Sequence, residues 1–192
     1  MAIPLFVVRP VAWTAPDPSS IDALLLTSAN AVRHGGGALA ELSALPVVAV
    51  GAATAAAARA AGFTVVDHGA TDAAAALALA RARGFARILH PAGRDRIALE
   101  GVVAITVYAS DIVDVPPGAA RQMADRIVLL HSVRAARRVA ALIDRGGVAR
   151  ATVSIAALSP AVAAAVGDGW RTVLVAARPD DDALFAAIES RD

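Results

Sequence analysis

The stretch Asp22-Ala23-Leu24-Leu25-Leu26-Thr27-Ser28 and its counterpart Asp125-Arg126-Ile127-Val128-Leu129-Leu130-His131-Ser132 decide the fold. Each is a short, wholly apolar run, too brief for a helix, that ends in small hydroxylic residues and passes into an Ala- and Arg-rich segment. Such a run reads as a strand buried on both faces, which is the condition of a parallel sheet with helices packed on either side. Gly62-Phe63-Thr64-Val65-Val66 is matched in the same way by Gly169-Trp170-Arg171-Thr172-Val173. Both matches lie about 103 to 107 residues apart, so the chain carries one plan twice, as two related α/β domains instead of one continuous sheet.

Working outward, Val47 to Val50 is the next strand. Gly51 turns the chain, and Ala52 to Ala61 forms a helix stopped by Gly62. Phe63 to Val66 is a further strand. Thr71 caps a helix running to Arg83 and closed by Gly84, and Arg87 to His90 leads into a turn at Pro91-Ala92-Gly93. In the second half Val133 to Asp144 is a helix ahead of Gly146-Gly147. Thr152 to Ala157 is a strand, Ser159 to Val166 a helix and Trp170 to Ala176 a strand, with Asp180 to Asp182 at the positive end of a last helix. Val102 to Tyr108 is β-branched and is followed by the stiff Pro116-Pro117-Gly118. With Leu5 to Val8 it makes a two-stranded linker able to act as a hinge. The expected organisation is a first linker strand over residues 1–10, a complete α/β lobe over 11–101, a return linker strand over 102–110 and a second lobe over 111–192.

Composition narrows the function. The chain has 192 residues, 57% of them hydrophobic, and a net charge of +1, so it is a folded protein with no global field to draw nucleic acid or an anionic membrane. All 18 basic residues are Arg, a forked donor suited to carboxylates and phosphates. There is no Cys, and the four His show no metal-ligand spacing. The apolar opening from Met1 to Val8 is too short for a secretory leader, and no stretch of about 18 apolar residues follows, which places the protein in the cytoplasm.

Ligands of open parallel sheets collect beyond the carboxyl ends of the strands, where loop side chains and helix N-terminal amides converge. Thr27 and Ser28, with Asn30 beyond them, Gly51 and Thr54, and Gly93 and Arg94 fall there in the first lobe. Ser132, Arg134 and Ser159 fall there in the second. Each hydroxyl is equally the ordinary cap of the helix that follows it, but two facing rows of such donors make an anion-binding cleft. Tyr108, the only tyrosine, closes the linker strand, where a phenol can donate a proton; a packing role explains it as well. His34-Gly35-Gly36-Gly37 lacks the G-x-S-x-G elbow that a hydrolase needs and reads as a flexible helix end. His90 and His131 end equivalent strands, where a lone His is commonly structural.

Leu25-Leu26-Thr27-Ser28-Ala29-Asn30-Ala31-Val32, Val48-Ala49-Val50-Gly51-Ala52-Ala53-Thr54-Ala55, Pro91-Ala92-Gly93-Arg94, Val107-Tyr108 and Leu129-Leu130-His131-Ser132, in this order, resemble the uroporphyrinogen-III synthase family. The resemblance covers nearly the whole chain. It implies two flavodoxin-like or Rossmann-like lobes joined by a two-stranded linker. The reaction it implies takes linear hydroxymethylbilane, expels its hydroxyl and closes the macrocycle with the last pyrrole ring inverted, without metal or cofactor. Tyr108 would assist departure of the hydroxyl. Thr27, Ser28, Asn30, Gly51, Thr54, Gly93 and Arg94 would meet the substrate from one lobe, and Ser132, Arg134 and Ser159 from the other.

The partner implied is a small polycarboxylate tetrapyrrole, not nucleic acid or membrane. Two departures stand out. Ala157-Leu158-Ser159-Pro160 replaces the family's glycine and threonine turn in the second repeat. Members also usually begin with a further strand and helix, so the second lobe is expected to be incomplete, with an exposed apolar sheet edge. The protein would then be a monomer unless another chain supplies that unit. From the residues alone, a non-catalytic two-lobed module binding a small anion is the alternative.

Overall fold

The structure, a computed structural model, describes residues 2–69 and 72–190. The chain divides into two compact units, Phe6–Ile112 and a second made of Met1–Leu5 with Val113–Asp192. Each has its own sheet and its own core.

The unit Phe6–Ile112 holds strands β1 (Phe6–Pro10), β2 (Ala23–Leu26), β3 (Val47–Ala49), β4 (Val65–His68), β5 (Ile88–Gly93) and β6 (Val103–Ile112). Its helices are α1 (Ala29–His34), α2 (Gly36–Ala40), α3 (Gly51–Ala60) and α4 (Ala73–Ala82). The strands form one sheet in the order β1-β6-β5-β2-β3-β4, parallel except for β1. β2 is completely buried because both faces are covered. Leu24 and Leu26 pack with Ala31, Leu39, Ala55 and Ala58 on one side, and Leu25 packs with Ala76, Leu77 and Ala80 on the other. The alanine content thus has a structural use, since α3 and α4 lay small side chains against the sheet and approach it closely.

The second unit contains β7 (Ile127–Leu130), β8 (Ser154–Ala157) and β9 (Thr172–Val175), parallel in that order, with α5 (Val133–Arg145), α6 (Pro160–Val166) and α7 (Asp181–Glu189). Its core gathers Leu130, Ala136, Val139, Ile143, Ile155, Val162 and Val166, with Ile3 and Leu5 packed against it. β2 pairs on both sides, whereas among the described residues β7 pairs only with β8. Ile127, Val128 and Leu129 are therefore only half buried. A groove of about 700 Å³, lined also by Ile3, Leu5 and Met123, runs along the open edge. The repeated aspartates do equivalent work. Asp22 accepts from the backbone and guanidinium of Arg87, just ahead of β5, while Asp125 pairs with Arg171, just ahead of β9.

Several elements differ from the sequence reading. Pro91-Ala92-Gly93 is no turn but the buried end of β5. β2 pairs with β5 only as far as Leu89, so Pro91 has no ladder partner on that side to miss its absent N–H. The expected linker strands, Leu5 to Val8 and Val102 to Tyr108, run longer. They pair with each other from Phe6↔Ile112 to Pro10↔Tyr108, and β6 also pairs in parallel with β5, so the two belong to the six-stranded sheet. The strand expected at Phe63 begins at Val65, because Phe63 turns into the core first. Thr71 lies outside the described residues, and Asp72 is the residue that caps α4, its carboxylate accepting from the N–H of Ala75 at 2.9 Å.

Candidate functional site

The carboxyl ends of β2, β3 and β5, together with the middle of β6, bring most of the expected residues of the first unit to one end of its sheet. Tyr108 stands on β6 in register with Gly93 on one side and Pro10 on the other. Its ring lies directly over Gly93: a Cβ at residue 93 would be 2.8 Å from the ring Cζ and 3.0 Å from the hydroxyl. The glycine is needed there for close approach, not for an unusual backbone angle. The imidazole of His34 from α1 stands near the phenol ring, with centroids 6.3 Å apart and the planes tilted by 38°. Trp13 anchors the end of that helix by donating from Nε1 to the Gly35 carbonyl at 2.9 Å. The phenol is thus half buried, seated on the end of β5 with the end of α1 close by.

Arg94 follows at once. Its backbone N–H donates to the Tyr108 carbonyl at 2.9 Å, and its guanidinium donates to Asp111 at 2.8 Å. The two side chains are 58% and 42% exposed, so water weakens this pair, and a ligand carboxylate can compete for the guanidinium. Arg96, which sequence reasoning did not single out, donates from Nη1 to the Gly93 carbonyl at 3.0 Å and to Thr106 at 2.8 Å, tying the β5 end to β6 beneath the phenol. Only the doubling back of the chain after β5 makes that link, and no local pattern signals it.

Ser28 caps α1, its Oγ accepting from the N–H of Asn30 at 3.2 Å, and Asn30 Oδ1 accepts from Arg33 at 3.4 Å. A capping hydroxyl used as acceptor still has its own hydrogen to donate, so capping and carboxylate binding are compatible. Gly51 opens α3 at φ +75° with nothing within 4 Å of where a side chain would start, leaving the backbone there uncovered. Thr54, one turn on, differs from the others: it is 5% exposed and faces the core. Gly93 is buried too, beneath the Tyr108 ring. Thr27 Oγ1 lies 3.0 Å from Nε2 of His90, which is 2% exposed. Burial first, and the nearby Arg96 guanidinium second, hold the His90 imidazole down to about 4, so it is neutral at pH 7.

In the second unit Ser132 caps α5, accepting from the N–H of Ala135 at 3.1 Å, and Ser159 caps α6, accepting from the N–H of Val162 at 3.4 Å. Arg134 is exposed on the first turn of α5, and His131 Nε2 is 2.8 Å from Asp181 at the start of α7. Ser132, Ser159 and His131 thus lie at the carboxyl ends of β7 and β8, as the repeat implies.

Two similar parallel-sheet units with capping hydroxyls at their strand ends, and a lone phenol locked over a glycine, have a match among known families. The sequence model of HEM4, described as uroporphyrinogen-III synthase HemD, matches residues 2–186. The chain belongs to the uroporphyrinogen-III synthase family. Its fold is similar to that of a uroporphyrinogen-III synthetase from Helicobacter pylori 26695, with a TM-score of 0.73 at 16% identity over 98% of this chain and 91% of that one. A uroporphyrinogen-III synthase from the extremely thermophilic bacterium Thermus thermophilus aligns over 95% of this chain and 84% of that one, at 14% identity and a TM-score of 0.42. No curated protein matches. Membership of the uroporphyrinogen-III synthase family makes the chain a cyclising lyase of tetrapyrrole biosynthesis, and among the described residues no helix is long and apolar enough to cross a membrane.

Proposed function

We propose that this chain closes hydroxymethylbilane to uroporphyrinogen III with Tyr108 as its proton donor and the strand-end hydroxyls and arginines as its carboxylate holders. The family match over residues 2–186 carries the reaction, and the Tyr108 ring seated on Gly93 supports the assignment of the acid. The substrate is electron-rich and expels its hydroxyl with little help. One proton, donated by the Tyr108 phenol, lets the C–O bond break with loss of water and leaves a protonated azafulvene and a phenolate. The new electrophilic methylene bonds to the substituted α-carbon of the last pyrrole to give a spiro centre, the older bond from that carbon to its methylene bridge breaks, and the freed methylene bonds to the ring's other α-carbon, so the ring ends inverted; the proton that this carbon loses as the ring regains aromaticity returns to the phenolate. The remaining demand on the protein is to hold the chain so that this closure outruns the uninverted one, which is catalysis by orientation.

Thr27, Ser28, Asn30 and Arg94 on one unit and Ser132, Arg134 and Ser159 on the other supply donors to the eight acetate and propionate groups. The exposed backbone at Gly51 adds amide donors, while Gly93 and Thr54 serve from beneath, as the seat of the phenol and as packing. This reading makes the protein a cytoplasmic enzyme acting as a monomer, unless another chain completes the sheet at β7, and its net charge of +1 supports a small-molecule partner over a nucleic acid.

The test is direct. Purified protein is incubated with freshly prepared hydroxymethylbilane, and the oxidised products are separated as isomers I and III. Isomer III is expected. Isomer I alone, the product of spontaneous closure, would refute the reading.

A further inference from the structure

The His90 ring presents a polar atom that the family's reaction does not explain. It is 2% exposed on β5, and its Nε2 meets Thr27 Oγ1 at 3.0 Å. Its Nδ1 is buried without a hydrogen-bond partner among the described residues. The ring is neutral, so one nitrogen carries a proton and the other a lone pair. If the proton sat on Nδ1, a buried N–H would go unsatisfied, which folded proteins tolerate least. If it sits on Nε2, the orphan is only a lone pair, and Nε2–H donates to Thr27.

We infer that His90 is a positioning residue whose tautomer makes Thr27 an obligate hydroxyl donor to a substrate carboxylate. With Nε2–H pointing at Oγ1, the threonine hydroxyl cannot spend its own hydrogen on the imidazole. Thr27 is half exposed at the strand end, so that hydrogen is left for an acceptor arriving there. A hydroxyl whose oxygen already accepts from the imidazole keeps its own hydrogen to give, and a carboxylate is the acceptor that takes it most strongly. The Arg96 guanidinium supports the arrangement by opposing protonation of the ring, which would otherwise remove the choice of tautomer. The inference rests on reading these strand ends as the carboxylate site.

Two measurements test it. In protein labelled with ¹⁵N-histidine, long-range ¹H–¹⁵N correlation at pH 7.5 should show His90 Nε2 as the protonated nitrogen and Nδ1 as the bare one; the reverse pattern overturns the inference whether or not the protein is active. In kinetics, His90→Leu should raise KM for hydroxymethylbilane about 10-fold with kcat within about 2-fold, as expected for loss of one charge-assisted contact. His90→Gln, whose amide N–H reaches the same place, should restore most of it. Thr27→Val should have the same effect from the other partner, and His90→Leu with Thr27→Val should cost no more than either change alone. A fall in kcat at unchanged KM, or additive losses in the double variant, would overturn the inference. Failure of the wild type to form isomer III would instead remove the enzymatic reading and leave the tautomer for the spectrum to decide.

Discussion

Replacing Gly93 with alanine changes one methyl group, and the structure sets the size of its effect. The added Cβ would stand 2.8 Å from the Tyr108 Cζ and 3.0 Å from both Cε2 and the hydroxyl, where ordinary carbon contacts need about 3.5 Å or more. The ring must therefore retreat by about 0.7 Å, and it has little room to do so. Its backbone is paired with both β1 and β5, and the His34 ring stands near it, with centroids 6.3 Å apart. The glycine has no left-handed angle that would itself penalise alanine, so the whole effect passes through the ring. Overpacking of this kind costs about 1 to 3 kcal/mol, and moving a reacting group by close to an ångström lowers turnover by up to about 100-fold. The assay is initial formation of isomer III from hydroxymethylbilane by Gly93→Ala, Tyr108→Phe and the double variant, with urea denaturation alongside. Each single change should slow turnover, and the double should be little slower than Tyr108→Phe, because both act on the same phenol. Wild-type turnover in Gly93→Ala, or losses that multiply in the double variant, would refute the reasoning.

Tyr108→Phe alone should lower turnover by about 10-fold to 100-fold, the range for loss of a general acid, with a far-UV spectrum like that of the wild type; unchanged turnover would make the phenol dispensable. Stability should fall with acid earlier than carboxylates alone would cause. The unfolded His90 ring takes a proton near 6.5 and the folded ring only at about 4, so the unfolded state binds more protons across that window, and roughly 3 kcal/mol is lost between pH 6.5 and 4. Urea midpoints should show this slope in the wild type and lose most of it in His90→Leu. Asp72→Ala removes the cap of α4 and should cost about 1 kcal/mol in the same measurement, with Asp72→Ser recovering most of it. Hydrogen exchange should be faster at Ile127 to Leu130, on a strand paired on one side, than at Ala23 to Leu26, paired on both; equal protection would mean that the β7 edge is covered in solution.

The strands that carry the site are legible in the sequence because their burial is local information. Four consecutive apolar residues followed by a hydroxylic cap need no knowledge of the rest of the chain, and both β2 and β7 lie where those runs stand. Ser28, Ser132 and Ser159 were legible as caps for the same reason. What escaped depends on pairing. Pro91 looks like a turn former until it is known that β5 has lost its β2 partner by that point. Gly93 looks like part of a turn until Tyr108, from another strand, is laid on top of it. The contacts of Thr27 with His90 and of Arg96 with Thr106 join residues that the pairing of neighbouring strands brings together, and His90 by itself gives no sign that it is buried. Asp ranks ahead of Thr as a cap, so residue type alone already favoured Asp72 for α4.

A synthase of this kind must steer the closure of a flexible polycarboxylate. The fraction of isomer III, measured at a fixed initial concentration of hydroxymethylbilane while the amount of protein is increased, reads that steering against the spontaneous reaction in the same tube. The fraction should climb from near zero toward completeness as the catalysed route overtakes the uncatalysed one. A product that stays isomer I at every protein concentration would contradict it.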